Sequence, residues 1–369
     1  MRKLICLMVL AGSLLLFVMA MNQTFINKVK YDRYFDHLPP PTAKRRSLYE
    51  RLFVRSDRWR YGDLYGMSFL PGYKFKLEPY RPYTRDTGTS PTGKILYIIG
   101  DSFLADKKLD RAFDNFDAVV FSDRRFPFGP VILDSTKQNY LVMEFAERNL
   151  VDYDIKKSLE RRWSTGQILS KSFFNTITPK ETGGSGVPSG VIARINKAMF
   201  NKDLSRNIEL LLFDDKLFTP VKELKAGINY DLFGRTVRET AVSTDKKRLL
   251  LNITVDTSFR ESAFRNITDS EINKISENLN YAEKYYLSVG FKSVFLSVVP
   301  NAVSVYDDKR MHYNHLLERV EKKNSFPVIS IWDFFRASTR NLYYRSDAHW
   351  NPEGLDLWVD QTRKAINKY

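Results

Sequence analysis

The chain has 369 residues, of which 43% are apolar and 14% aromatic, so it can bury a sizeable core in one large domain or two smaller ones. Its formal net charge of +15 favours contact with anionic surfaces or polymers. The basic residues are spread along the chain without a zinc-ligand spacing, a helix-turn-helix pattern or an aromatic RNA-binding signature, which argues against a nucleic-acid partner.

The N-terminus carries the pattern of an export signal. Arg2 and Lys3 precede an uncharged apolar stretch that ends at Ala20, and this arrangement directs the rest of a chain out of the cytoplasm. Residues 1–20 are therefore predicted to be a signal peptide or a membrane anchor, and the remainder is expected in the periplasm or another extracytoplasmic compartment. The one cysteine, Cys6, lies inside this stretch, which excludes a thiol nucleophile in the exported part.

The remaining chain divides by composition. Residues 21–93 are polar and rich in aromatic residues and prolines, which is typical of a linker followed by an extended arm. Residues 94–369 are predicted to form an α/β domain with a mostly parallel sheet flanked by helices on both faces. The apolar runs that predict strands are 95–99, 118–121, 140–145, 293–299 and 328–331, and a helical period predicts a long helix at 268–289.

Residues 166–260 interrupt this rhythm. They contain a glycine-rich stretch at 183–190 and two apolar stretches, 208–213 and 248–255, with charged turns between them. They are predicted to form a strand-rich insertion with a hairpin or small sheet beside the active edge of the main sheet. The insertion is interpreted either as a substrate lid or groove wall, or as passive decoration.

The first motif with chemical meaning is Gly100-Asp101-Ser102-Phe103, directly after the strand predicted at 95–99. Gly100 marks a sharp turn, and Ser102 is predicted at a strand-to-helix turn, where N–H groups of the following helix point towards an oxyanion. The alternative is a turn in which Asp101 or Ser102 only caps a helix, since that is the commoner use of these residues.

The second motif is Asp347-Ala348-His349-Trp350, shortly before the C-terminus. A serine hydroxyl is a weak nucleophile unless an imidazole accepts its proton and a carboxylate orients that imidazole. Ser102, His349 and Asp347 supply these three groups. Trp350, next to the histidine, is predicted to offer a flat face on which a sugar can stack.

Only His349 among the four histidines lies beside a carboxylate in a turn-like context. His312 and His315 have an i, i+3 spacing on a predicted helix, as metal ligands can have. They have no cysteine and no defined acidic partner, so no metal is predicted.

Together the two motifs resemble those of the SGNH (GDSL-like) hydrolases. The resemblance is greatest to the branch related to alginate-type polysaccharide O-acetyltransferases, which carry Gly-Asp-Ser-Phe and Asp-x-His-Trp. The strand at 140–146 with the Glu-Arg-Asn that follows it, and the strand at 292–299 with the Pro-Asn turn after it, are also similar. The chain order, with the serine motif first, is that of ordinary SGNH enzymes and differs from the alginate-type branch.

The resemblance implies an SGNH-like three-layer fold and a role for each motif residue. Ser102 would be the nucleophile, His349 the general base and then the general acid, and Asp347 its orienting partner. The backbone N–H of Ser102 would be one donor of the oxyanion hole.

Two more donors complete the oxyanion hole in ordinary members, a glycine after the second strand and an asparagine after the third. Gly129, after the strand at 118–121, matches the position of the glycine. After the third strand the chain reads Ala-Glu-Arg-Asn where the family has Gly-x-Asn-Asp, so either Asn149 or the cationic Arg148 could take the role of the asparagine.

These observations predict an exported, serine-dependent acyl-transfer enzyme that works through an acyl-Ser102 intermediate and needs no cofactor. The resemblance implies an O-acetyltransferase or acetylesterase for a cell-envelope or extracellular polysaccharide, and it favours the transferase. A lipid or peptidoglycan esterase would share the mechanism. The alternative is a non-catalytic SGNH-like subunit that binds glycan or assembly partners in an envelope complex, because a fold does not guarantee activity.

Overall fold

A computed structural model describes residues 2–34, 61–83, 91–105, 107, 109–123, 133–159, 204–214 and 216–369. The chain falls into two compact units. One, called here the N-terminal unit, combines Met1–Lys76 with Pro179–Val237. The other, called here the sheet unit, combines Leu77–Thr178 with Arg238–Tyr369.

The described residues contain both helices and strands. The helices are, in chain order, α1 (Arg2–Met21), α2 (Gln23–Tyr34), α3 (Ile155–Leu159), α4 (Leu204–Phe213), α5 (Thr219–Gly227), α6 (Asp269–Val289), α7 (Ala302–Tyr306), α8 (Leu316–Lys323), α9 (Trp332–Ala337) and α10 (Pro352–Ile366). The strands are β1 (Lys94–Gly100), β2 (Ala118–Asp123), β3 (Gln138–Ala146), β4 (Thr240–Val242), β5 (Leu249–Leu251), β6 (Ser293–Val299) and β7 (Val328–Ile329).

The sheet unit is built on a five-stranded parallel sheet with the strand order β2-β1-β3-β6-β7. On β1, Tyr97 and Ile99 belong to one apolar cluster and Leu96 and Ile98 to another, because successive side chains of a strand point to opposite faces. Helix α6 contributes to the first cluster and α10 to the second. The prediction of a mostly parallel sheet flanked by helices is therefore confirmed.

Helix α6 begins and ends where its sequence provides caps. The Thr268 hydroxyl accepts a hydrogen bond from the Glu271 N–H, and the Glu271 carboxylate accepts one from the Thr268 N–H (3.0 Å), which together form a capping box. The helix stops at Gly290, whose φ of 117° is left-handed and suits a residue without a Cβ. Ile272, Leu279 and Tyr286, which recur at the helical period, are buried.

In the N-terminal unit, helices α1 and α4 pack together. The most apolar 18 residues of α1 have a mean hydropathy of 2.7, and its 20 residues suit a membrane span or a signal sequence. Near its C-terminal end, Ala20 joins a buried cluster with Leu210 and Leu211 of α4. Asn207 of α4 donates a hydrogen bond to the Ala20 carbonyl (2.9 Å). Residues 23–34, which the sequence assigns to a linker, form α2.

The prediction of a strand-rich insertion at 166–260 is wrong for part of its length. Residues 208–213, interpreted as a strand, belong to helix α4, because a short apolar run is equally compatible with a helix and its Leu210 and Leu211 pack on α1. The predicted hairpin is present as β4 and β5, which pair antiparallel. Residues 166–203 lie outside the described residues.

Glu321 of α8 is a half-buried acid in the sheet unit, and its carboxylate accepts a hydrogen bond from the Ser330 hydroxyl (2.8 Å). Burial raises the pKa of Glu321 to about 7, because removal from water disfavours the charged form. The folded chain therefore keeps a proton that the unfolded chain loses above its ordinary pKa of 4.5. This group should cost stability as the pH rises from the ordinary value towards the raised one.

Replacing Glu321 with glutamine removes this titration. We expect the free energy of unfolding of E321Q, measured relative to the unaltered chain, to increase between about pH 5 and pH 7 by at most about 1.4 kcal/mol per pH unit. Urea denaturation at a series of pH values measures this difference. A difference that stays constant over the range would contradict the raised pKa.

Candidate active site

Three side chains of the sheet unit form one chain of hydrogen bonds. The His349 Nε2 atom lies 2.8 Å from the Ser102 Oγ, and the His349 Nδ1 atom lies 2.6 Å from the Asp347 Oδ1. The Asp347 side chain is 7% exposed and that of His349 is 23% exposed. The carboxylate is thus shielded from water while the imidazole and the serine remain reachable.

The hydrogen bonds define the protonation pattern of the imidazole. A carboxylate only accepts hydrogen bonds when it is ionised, so the short contact to Asp347 assigns the proton of the neutral ring to Nδ1. The Nε2 atom then carries a lone pair and accepts the Ser102 hydroxyl proton. This is the tautomer that a general base acting on a serine requires.

Ser102 follows β1 at a point where the backbone passes close to a buried acid. A Cβ atom on Gly100 would lie 2.6 Å from the Glu144 Oε2 atom, so any larger residue there would require a shift of this carboxylate or of the strand. The same Glu144 oxygen accepts the Asp101 N–H (2.8 Å), and the Asp101 Oδ1 accepts the Phe103 N–H (3.0 Å). The two neighbours of Ser102 are therefore held by buried hydrogen bonds.

The segment after Ser102 is a single turn and not the helix predicted from the sequence. The Leu104 and Ala105 N–H groups both bond to the Asp101 carbonyl, and the described residues continue in turns up to β2. The Asp101 side chain bonds to the backbone two residues ahead of it, a local pattern that competes with helix formation.

Strand order places this turn at a topological switch point of the sheet. Strand β1 has β2 on one side and β3 on the other. The connection that leaves the carboxyl end of β1 leads towards β2, and the one that leaves β3 leads away from it towards β6. Ligands bind at such topological switch points in parallel sheets. Ser102 follows β1, and Arg148 and Asn149 follow β3 in a 3₁₀ turn, which brings the predicted oxyanion residues to the same edge.

Asn149 and Arg148 contact the two neighbours of Ser102. The Asn149 amide donates to the Asp101 Oδ2 (2.7 Å), and the Arg148 guanidinium lies over the Phe103 ring at 5.3 Å from its centroid. The Ser102 N–H has no acceptor among the described residues. Gly129, the third predicted oxyanion residue, lies outside the described residues.

A buried carboxylate fixes the turn that carries these two residues. Glu147 accepts hydrogen bonds from the Asn301 N–H (2.8 Å), the Ser304 hydroxyl (2.7 Å) and the Tyr313 hydroxyl (3.2 Å). Burial raises the pKa of Glu147. Its contacts tie the turn after β3 to the turn after β6, which the sequence already places at Pro300.

The loop that carries Asp347 and His349 is closed by backbone pairing. Tyr343 and Trp350 form an antiparallel bridge, and the Tyr344 N–H bonds to the His349 carbonyl (3.2 Å). The Asp347 carboxylate also accepts the His349 N–H (2.9 Å). The histidine is therefore held through both its ring and its backbone.

The prediction that Trp350 stacks against a sugar is wrong, because Trp350 is completely buried. Its indole N–H donates to the Phe103 carbonyl (3.0 Å), and its ring packs edge to face on the Phe103 ring at 5.2 Å. Phe103 also contacts the His349 ring at 5.0 Å. Trp350 therefore joins the histidine loop to the serine turn.

Two tyrosines from the arm support the histidine loop from another side. The Tyr80 hydroxyl donates to the Trp350 carbonyl (2.6 Å), and its ring packs edge to face on Tyr344. Burial raises the pKa of Tyr80, so its hydroxyl stays a donor. The Tyr83 hydroxyl bonds to Asp356 of α10 (2.8 Å). These contacts join residues 77–83 to the histidine loop and to α10.

The hairpin contacts the same loop, since the Leu249 N–H of β5 bonds to the Arg345 carbonyl (2.8 Å). This contact lies two residues before Asp347, as the prediction of a hairpin beside the active edge requires.

Glu144, the acid next to Gly100, was not identified from the sequence. The sequence pattern that could have revealed Glu144 is a single charged residue inside the apolar run of β3.

The other histidines are placed differently from the prediction. His312 and His315 precede helix α8 instead of lying within it, because His315 has a left-handed φ of 54° and the Asn314 side chain accepts the N–H of the first helical residue, Leu316 (3.0 Å). His315 pairs with Glu318 (3.0 Å) on the exposed surface. It is a histidine–carboxylate pair outside the Ser102 site.

The Gly100 position gives a direct test of this construction. We expect G100A to lower the free energy of unfolding by about 1–3 kcal/mol, because the added methyl group forces the Glu144 carboxylate or β1 to move. Urea denaturation measures the effect. Gly72, where a Cβ meets no atom within 4 Å, offers G72A as a control, and equal midpoints for the two variants would contradict the close approach.

Comparison of the chain with protein-family models, with curated proteins and with solved structures gave no match. The assignment of a function therefore depends on the motifs and on the geometry of the site.

Proposed function

We propose that this protein is a serine-dependent acyl-transfer enzyme of the SGNH type, with Ser102 as nucleophile, His349 as base and acid, and Asp347 as the orienting carboxylate. The observation that carries the proposal is the continuous chain of hydrogen bonds from Ser102 through His349 to Asp347. Its order is the one that serine acyl transfer requires.

In the first half of the reaction, the Ser102 Oγ attacks the carbonyl carbon of a donor ester while its proton passes to the His349 Nε2. The bond between that carbon and the donor alcohol oxygen then breaks, and the alcohol leaves with the proton from His349. The acyl group remains as an ester on Ser102. The Asp347 carboxylate stabilises the imidazolium that forms between these two proton transfers.

In the second half, an acceptor hydroxyl gives its proton to the His349 Nε2 and attacks the acyl-Ser102 carbonyl. The Ser102 oxygen leaves and recovers the proton. Water as acceptor makes the protein an esterase, and a sugar hydroxyl makes it a transferase. The resemblance to polysaccharide O-acetyltransferases supports the sugar, and the net charge of +15 suits an anionic glycan.

For the oxyanion we propose the Ser102 N–H together with the Asn149 side chain. Asn149 has two amide hydrogens and donates one of them to Asp101, so the second can meet a charge developing next to Ser102. Arg148, the other candidate for this role, lies in the same turn, and its guanidinium contacts Phe103.

The triad is tested by turnover of p-nitrophenyl acetate by the full-length chain in detergent micelles, with and without oligosaccharide acceptors. We expect S102A and H349A each to lower kcat by about 10³-fold or more. H315A is a matched control, because His315 also pairs with a carboxylate, and it should keep full activity. Acetylated oligosaccharide among the products would make the enzyme a transferase.

Activity that survives in S102A would contradict the serine mechanism. Glycan binding without turnover in the unaltered chain, with every acceptor and donor ester tried, would favour the non-catalytic subunit of an envelope complex.

The oxyanion assignment predicts a difference between two neighbouring variants. We expect N149A to lower kcat by about 10²-fold with a smaller change in KM, because the donor acts mainly in the transition state. R148A should retain kcat within about tenfold. Steady-state kinetics of both variants measures kcat and KM, and thermal unfolding checks that both variants fold. A larger loss of kcat in R148A than in N149A would assign the oxyanion role to Arg148.

A further inference from the structure

The N-terminal unit exposes a row of large apolar side chains after helix α4. They lie on the 3₁₀ turn before α5, on α5 itself and on the π-helical turn Ile228–Leu232 that continues it. Their exposed fractions range from 43% to 78%. The row, called here the apolar face, consists of Leu217, Val221, Leu224, Ile228, Leu232 and Phe233.

The spacing puts these residues on one side of the segment. Val221, Leu224 and Ile228 follow each other at three and four residues, which keeps them on one face of a helix. Single exposed apolar residues are normal on a protein surface, but a contiguous row of this kind marks a contact surface.

On its opposite side, the same segment contacts the rest of the N-terminal unit through polar groups. Lys222 bonds to the Asp214 carboxylate (3.0 Å), Glu223 pairs with Lys74, and the Tyr230 hydroxyl meets that of Tyr73 (3.4 Å). An ordinary surface helix turns its apolar side inward and its polar side to water. This segment does the reverse, so the medium on its outer side is expected to be apolar.

The unit itself contains a segment suited to such a medium. Helix α1 has the length and hydropathy of a membrane span, and 6% of its most apolar window is buried in the protein. Helix α4, which packs on the C-terminal end of α1, ends at Phe213, and α5 begins at Thr219. The apolar face is therefore connected by a short stretch of chain to the helix that holds α1.

The charges of the segment match an anionic membrane surface. Residues 216–235 contain four basic and two acidic residues. Lys225, one residue after Leu224, is exposed at the border of the apolar face. Amphipathic segments that lie in a membrane interface combine an apolar face with flanking lysines in this way, and anionic lipids strengthen their binding.

We propose that α1 is retained as a membrane span and that the apolar face lies in the interface of the same bilayer, with Lys225 at the level of anionic headgroups. The protein then has two attachments to one membrane, a spanning helix and an interfacial segment. This proposal does not depend on the acyl-transfer activity.

The test uses the full-length chain reconstituted in vesicles of phosphatidylcholine with phosphatidylglycerol. In a C6S background, which removes the single native cysteine, L224C carries an environment-sensitive fluorophore. K284C, exposed on helix α6 of the sheet unit, is the control, and L232C is a second position on the apolar face.

We expect lipids with brominated tails to lower the emission at positions 224 and 232 by about twofold, because the label sits at the acyl boundary. The emission at position 284 should not change, and aqueous iodide should quench it most. Adding K225E to the L224C chain should weaken the quenching by brominated lipid in anionic vesicles and leave it unchanged in pure phosphatidylcholine.

Equal quenching by iodide at positions 224, 232 and 284, with no effect of brominated lipid, would overturn the proposal. Disulfide cross-links between unlabelled L224C chains in detergent and in vesicles alike would also overturn it, since the apolar face would then be covered by a second copy of the protein.

Discussion

The hydrogen bond between Ser102 and His349 joins residues that are 247 positions apart, and much of the sheet unit serves to keep these two residues in contact. Closing so long a loop has an entropic cost that the surrounding packing must offset. A second hydrogen bond with the same separation in sequence, from the Trp350 indole to the Phe103 carbonyl, joins the residues that follow each of these two. The two loops thus meet through one half-buried polar contact and one buried contact.

Buried acids make this meeting point rigid. Glu144 and Glu147 lie three positions apart at the end of β3, and each accepts a backbone N–H from a neighbouring turn. Asp101 does the same for the Phe103 and Ala146 N–H groups. Since buried carboxylates are costly without such partners, each network holds its turn in one arrangement. The residues that flank Ser102 are thereby held in place by buried hydrogen bonds.

Local patterns predicted much of this architecture. Apolar runs bounded by turns located the strands of the parallel sheet, and helical periodicity located α6. The Ser102, His349 and Asp347 motifs were visible as residue types and spacings. The burial of Trp350 was not, because Phe103, which it contacts through both a hydrogen bond and its ring, lies 247 positions away. Helix α4 was missed since its short apolar run fits either structure and its packing partner is α1.

The histidine loop leads directly into α10, which Asn351 starts by accepting the Gly354 N–H and which buries Trp358 and Val359 against the sheet. The loop and its helix follow the serine turn in the chain, so they leave the ribosome after it, and they cross a membrane after it if the chain is exported from its N-terminus. Until they dock, Ser102 has no base beside it. The proposed acyl chemistry would therefore begin only after these elements have docked, and it would be confined to the compartment where the chain completes its folding.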